Sequence, residues 1–100
     1  MATINLADYD SRAVREAARK LRACAQNLSE GTQDRIRTIR TEMPSSLEGD
    51  AAEALRARVD DLSADVNTII GSINGLARAL NQYAAELERT AEKLRKAMQA

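Results

Sequence analysis

MPSSLEGDAAEAL, residues 43–55, is where the chain turns. Pro44 has no amide hydrogen and disfavours helical geometry in the residue before it, so a helix arriving from the N-terminal side stops at Met43. Two overlapping start signals follow. Ser45 with Glu48, and Asp50 with Glu53, each have the capping-box spacing, in which a short polar side chain and an acid three residues on satisfy one another's backbone amides. Between them lies Leu47-Glu48-Gly49, a turn with a glycine to relax the backbone. A connection this short leaves its two helices antiparallel, so the stretch predicts a helical hairpin.

Downstream of the turn, apolar residues recur at Leu55, Val59, Leu62, Val66, Ile69, Ile73, Leu76, Leu80, Tyr83 and Leu87, then Leu94. The steps alternate between four and three up to Leu87, which is a heptad and predicts a helix over 51–97. A second line, Ile70, Ala77, Ala84, Ala91 and Met98, flanks the first and widens the apolar stripe beyond what one facing helix covers.

Upstream, a helix is expected over 10–43. Asp8, Asp10 and Ser11 can accept hydrogen bonds from its first amides. Its apolar residues are Val14, Leu21, Leu28, Ile36, Ile39 and Met43, with small residues Ala17, Ala18, Cys24 and Ala25 beside them. The interval from Leu28 to Ile36 skips a beat and contains Gly31, which predicts a bend or local loosening there.

The sequence of 100 residues reads as one all-α domain, 1–100, with the turn at 44–50. A chain this short has a small core, and self-association is a common source of added stability. Two thin hairpins side by side make a four-helix bundle. The residues expected at that partner interface are Val14, Leu21, Leu28, Val59, Leu62, Val66, Ile69, Ile70, Ile73, Leu76, Ala77, Leu80, Ala84 and Leu87.

The balance of 15 basic and 15 acidic side chains gives no net field towards nucleic acid, anionic lipid or an acidic substrate. No run of apolar residues is long enough to span a bilayer, and MATINLADYD lacks the basic start and apolar core of a secretory signal peptide. With no histidine and one cysteine, the raw material for catalysis is thin, and no enzyme activity or cofactor is expected.

Individual residues support the same reading. Cys24, between Ala23 and Ala25, reads as a small packed hydrophobe rather than a reactive thiol. Asp60, Asp61 and Asp65 with Glu53 share spacing suited to a divalent cation, but Arg56 and Arg58 lie among them and favour a self-paired, solvated face. Arg12, Arg15, Arg19, Lys20 and Arg22 form a basic cluster, yet aromatic stacking residues for nucleic acid are missing. Gly71 and Gly75 mark a flexible or closely packed midpoint.

Two long helices, a short glycine-containing central turn and a tyrosine near the end resemble the WXG family, the ESAT-like small proteins exported by type VII secretion systems. The resemblance covers essentially the whole chain. It implies a hairpin that pairs as a homodimer, or as a heterodimer with a sister protein, and leaves the bacterial cell folded and without a cleaved leader. The family's turn is Trp-x-Gly; here Leu47 stands in the aromatic position and Gly49 is kept. The family's C-terminal export signal is a tyrosine, three residues, then an acid; here Tyr83 is followed by Glu86 and Glu88, with Leu87 where the acid belongs. In such families one member of a pair can carry the signal for both, so this degenerate form implies a subunit that relies on its partner, or an adaptor for a larger toxin. Leu-x-Gly is also similar to the turn of the LXG toxins of these systems, for which a small helical companion would fit. Recognition by the secretion ATPase is the implied mechanism. A cytosolic coiled-coil scaffold or regulatory adaptor accounts for the periodicity equally well.

Overall fold

The computed structural model of the chain describes residues 10–43 and 49–99. The expectations resting on Asp8, Pro44, Ser45, Leu47 and Glu48 lie outside the described residues. Within them the chain is helical and contains no strand. A first arm consists of α1 (Arg12–Asn27), a π-helical turn (Leu28–Gln33) and α2 (Asp34–Glu42); the second arm is the single helix α3 (Asp50–Gln99).

Asp10 caps the first arm, its Oδ1 accepting the Arg12 amide at 2.9 Å. Ser11, expected to help as a capping acceptor, makes no side-chain cap bond. Its hydroxyl donates instead across the hairpin to Glu88 Oε1, at 2.8 Å. At the other end, Gly49 has φ +97°, a conformation that L side chains rarely adopt, and its carbonyl accepts the Glu53 amide at 3.1 Å. Asp50 is therefore the first helical residue and the carbonyl before it starts the ladder.

Cross-strut hydrogen bonds fix the arms antiparallel. Ser11 and Arg15 reach Glu88, Gln33 reaches Ser63 and Asn67, and Arg40 reaches Asp60. The first arm thus counts down as α3 counts up. The result is a rod of 78 × 18 × 16 Å with a radius of gyration of 22.7 Å, against about 13 Å for a compact domain of this length. It is one helix pair thick, so its buried apolar residues are few and mostly small: Ala18, Ala25, Ile36, Ala52, Val66, Ala77 and Ala84.

The π-helical turn resolves the missing beat. Val14, Leu21 and Leu28 follow at seven-residue steps, but Leu28 to Ile36 is eight, and so is Ala25 to Gln33. A π turn takes up one residue more than an α turn, so the extra residue is absorbed locally and Ile36 and Gln33 regain the inward lines. Both are buried, at 7 % and 6 % exposure. The loosening expected around Gly31 is this turn, and the axis continues through it.

Gln33 is the one buried polar residue among those described. Its Nε2 donates to the Ser63 carbonyl at 2.8 Å and to Asn67 Oδ1 at 2.7 Å, while its Oε1 accepts from Ser63 Oγ at 3.1 Å. A satisfied amide in an otherwise apolar seam penalises slipped pairings, since any shift leaves it buried without partners.

Candidate functional site

Counting heptads from Ala52 as position a, the a residues of α3 (Val59, Val66, Ile73, Leu80, Leu87) and the e residues from Arg56 to Ala91 are buried or half-buried. They pack against the first arm. The d residues do not: Leu55, Leu62, Ile69, Leu76 and Tyr83 are 50, 52, 50, 53 and 53 % exposed. These five stand at strict seven-residue intervals and form a continuous apolar ridge along one side of the rod.

The first arm obeys the same scheme. Val14, Leu21, Leu28, Ile36 and Met43 take a; Ser11, Ala18, Ala25, Gln33 and Arg40 take e; Ala17, Cys24, Gly31 and Ile39 take d. Successive residues turn by about 100° around a helix, and reversing one helix mirrors the sense of that turn, so an antiparallel pair facing through a puts both d lines on one broad side and both e lines on the other. The cross-strut bonds establish the levels: Ala17 lies level with Tyr83, Cys24 with Leu76, Gly31 with Ile69, and Ile39 with Leu62. On the first arm a row of three small residues, Ala17, Cys24 and Gly31, followed by the large Ile39, therefore runs beside a row of large ones on α3.

The opposite broad side is polar and internally paired. Arg15 donates to both Glu88 oxygens at 2.8 and 2.9 Å, and Arg40 Nε donates to Asp60 Oδ1 at 2.9 Å. Hydrogen bonds from Arg15 and Ser11 hold the Glu88 carboxyl down at about 2, from an ordinary 4.5. A shallow cleft of about 250 Å³ beside Gln33 is lined by Arg37, Arg40, Asp60, Ser63 and Asn67, all already engaged in hydrogen bonds. The molecule has one side closed by its own polar groups and one side left apolar.

The structure divides the residues expected at the partner interface. Leu62, Ile69 and Leu76 are on the open ridge. Val14, Leu21, Leu28, Val59, Val66, Ile70, Ile73, Ala77, Leu80, Ala84 and Leu87 lie in or beside the seam between the two arms, and Ala77 and Ala84 are completely buried there. Leu55, Tyr83 and Ile39 complete the open side. Periodicity alone assigned all the α3 lines to one wide stripe; which line the hairpin covers depends on the angle at which the first arm sits.

Of the residues compared with an export signal, Tyr83 is on the ridge and Glu86 is one turn along the same side, whereas Glu88 is held on the opposite side by Arg15 and Ser11. Leu47 is outside the described residues, and Gly49 immediately precedes α3. Cys24, read as packed, is exposed on the open side; its alanine neighbours turn inward in its place only at Ala25. Gly71 and Gly75, both on α3, have nothing within 4 Å of an added Cβ, so they mark no close approach within the hairpin. Arg12 pairs with Asp10 and Arg19 with Glu16, which breaks up the basic cluster. Asp60 is taken by Arg40, and among the described residues no acidic group has the arrangement of a metal site. None of the helices described is long and apolar enough to cross a membrane.

Comparison with curated proteins and with solved structures found no match. The model of one family, described as WXG100, proteins of 100 residues with WXG, matches residues 7–99. That match takes in both arms, the turn and the ridge, and on it the chain belongs to the WXG100 family.

Proposed function

We propose that this protein works by pairing: its apolar side docks on a second helical hairpin, an identical chain or a sister, and the resulting four-helix bundle is a substrate or adaptor of a type VII secretion system. Members of the family are small, non-enzymatic helical proteins associated with that route. The observation that carries the reading is the ridge from Leu55 to Tyr83, five large side chains half exposed in register over the length of the rod. Covering the exposed half of each is worth roughly 1 kcal/mol, half of the 1.5–3 kcal/mol for complete burial. A monomer leaves that free energy unused.

In this reading Tyr83 and Glu86 present the C-terminal export element at the rim of the docking face, and Leu47 with Gly49 presents the turn for recognition by the secretion ATPase. A larger toxin is a natural cargo for such an adaptor. Mass measurement in solution tests the pairing: the protein is dimeric, alone or with a sister encoded beside it, and Leu76→Ala weakens the dimer about 30-fold, because the side chain is lost from both copies at roughly 1 kcal/mol each. A monomer at micromolar concentration with every neighbour tested would refute it. Removal of the residues after Tyr83 abolishes export; unchanged export would overturn the secretion role while leaving the pairing intact.

A further inference from the structure

The balance of charge over the whole chain is not kept along the rod. The half away from the turn, described over 10–28 and 72–99, holds ten basic and five acidic side chains, a net of +5. The half with the turn, described over 29–43 and 49–71, holds five basic and eight acidic, a net of −3. Because the arms are antiparallel their helix dipoles oppose one another, so the side chains alone set the two poles. The centres of the halves are about 40 Å apart, from about 26 residues of α3 at about 1.5 Å each. At physiological salt, where the screening length is about 8 Å, neither pole feels the other. Each end therefore meets a partner with its own charge, and the zero total shields neither.

Pairing within the fold sharpens the positive pole. Of its acids, Asp10, Glu16, Glu88 and Glu92 are already held by Arg12, Arg19, Arg15 and Arg95. Six cations are left over: Lys20, Arg22, Arg78, Arg89, Lys93 and Lys96 are exposed and, among the described residues, make no ion pair or hydrogen bond. Only Glu86 is an unengaged acid beside them. By heptad position the six surround the rod: Lys20 and Lys93 border the open side, Arg22 is on the polar side, and Arg78, Arg89 and Lys96 are on the outer surface of α3.

We propose that this end is a docking site for a flexible acidic polypeptide segment, rich in aspartate and glutamate, that winds around the rod and meets these cations in turn. A stiff anionic body, such as a duplex or a bilayer surface, lies against one side of a cylinder and reaches only part of the ring. An extended chain follows it. The girth of a rod 18 × 16 Å across is about 53 Å, which about 16 residues cover at about 3.3 Å each. Acidic segments of low hydrophobicity stay unfolded until they bind, so this class of partner keeps the freedom that winding needs. The site does not rest on the pairing reading, since none of the six cations is on the apolar ridge.

The test titrates the intact protein into a fluorescent glutamate oligomer of about 16 residues and follows anisotropy at about 0.1 M salt, where charges at the far pole are screened. Binding is expected, and its absence overturns the proposal. Arg22→Glu with Arg89→Glu weakens binding more than about tenfold, whereas Arg35→Glu with Arg58→Glu, the same change in total charge at the other pole, alters it less than about threefold. Equal losses would overturn the proposal by showing that total charge, not its placement, governs binding. All four side chains are exposed and unpaired, so both variants keep the fold. The milder Lys93→Gln with Lys96→Gln, expected to weaken binding about threefold, repeats the test without new acids. Tighter binding to a DNA duplex of equal charge, or to phosphatidylglycerol vesicles, overturns the assignment to an acidic polypeptide. Sedimentation of the same samples keeps this site apart from the pairing. A monomer that binds the oligomer refutes the pairing alone, and a dimer that ignores it refutes this site alone.

Discussion

Deleting one residue from a helix normally rotates everything beyond it by about 100° and is among the most damaging changes a coiled structure can receive. The π-helical turn makes one place exempt. Removing Glu30 shortens the steps from Leu28 to Ile36 and from Ala25 to Gln33 from eight residues to seven, and an uninterrupted α-helix then carries every inward line in phase. The side chain lost is exposed and its one hydrogen bond is from Gln26. The expected outcome is a melting temperature within about 4 °C of the parent, equivalent to about 0.5–1 kcal/mol. Deletion of Ala23, also exposed, is the control. It turns Val14, Ala18 and Leu21 off the seam relative to Ile36 and breaks the exposed Arg15–Glu88 pair; at about 1 kcal/mol for each of the two large residues the loss is about 2 kcal/mol, a fall of roughly 8–16 °C. Thermal melts followed by far-ultraviolet circular dichroism at fixed protein concentration compare the two directly. Equal losses for both deletions would refute the phase argument.

The remaining expectations are smaller. Gly49→Ala forces an L side chain into φ +97° and should cost about 1–3 kcal/mol, read as a lower denaturation midpoint with unchanged helix content. Gly71→Ala and Gly75→Ala meet open space and replace a poor helix former with the best one, so each should raise stability by up to about 1 kcal/mol; a loss would show that these positions are covered in the assembly. Glu88 has its folded value depressed to about 2 from 4.5, so its contribution is complete above pH 4.5 and disappears as the pH falls towards 2. Glu88→Gln should therefore reduce stability at pH 7, leave it unchanged near pH 2, and show a smaller difference in high salt because the pair is surface-exposed; a carboxyl titration by nuclear magnetic resonance with its midpoint near 4.5 would contradict the pairing.

The hairpin was legible in the sequence because its signals are local. A proline after Met43 forbids a helix from running on, the acid-rich start of α3 opens the next, and the heptad from Leu55 to Leu87 fixes the longest element. The skipped beat at Leu28–Ile36 marked the irregular turn, although its form follows only from asking how an eight-residue step returns to phase. Which apolar line stays open was not legible. Leu62 and Val66 are equally hydrophobic neighbours in the pattern, and what separates them is the angle between the arms, set by the cross-struts of Gln33, Arg15 and Arg40. Those contacts join residues far apart in the chain, and no local pattern announces them. Cys24 failed for the same reason: small neighbours suggest packing, but the seam passes one residue away, through Ala25.

The closed polar side has a consequence for how far assembly can go. A ribbon with two sticky surfaces stacks without limit, whereas this one carries adhesive on a single surface, and its back is already neutralised by bonds such as Arg15–Glu88 and Arg40–Asp60. Once the adhesive surface is covered, nothing is left to recruit a third member. In the proposed pair, growth into fibres is thus opposed by the arginines and acids of the rear wall, and the assembly stays a discrete, finite object.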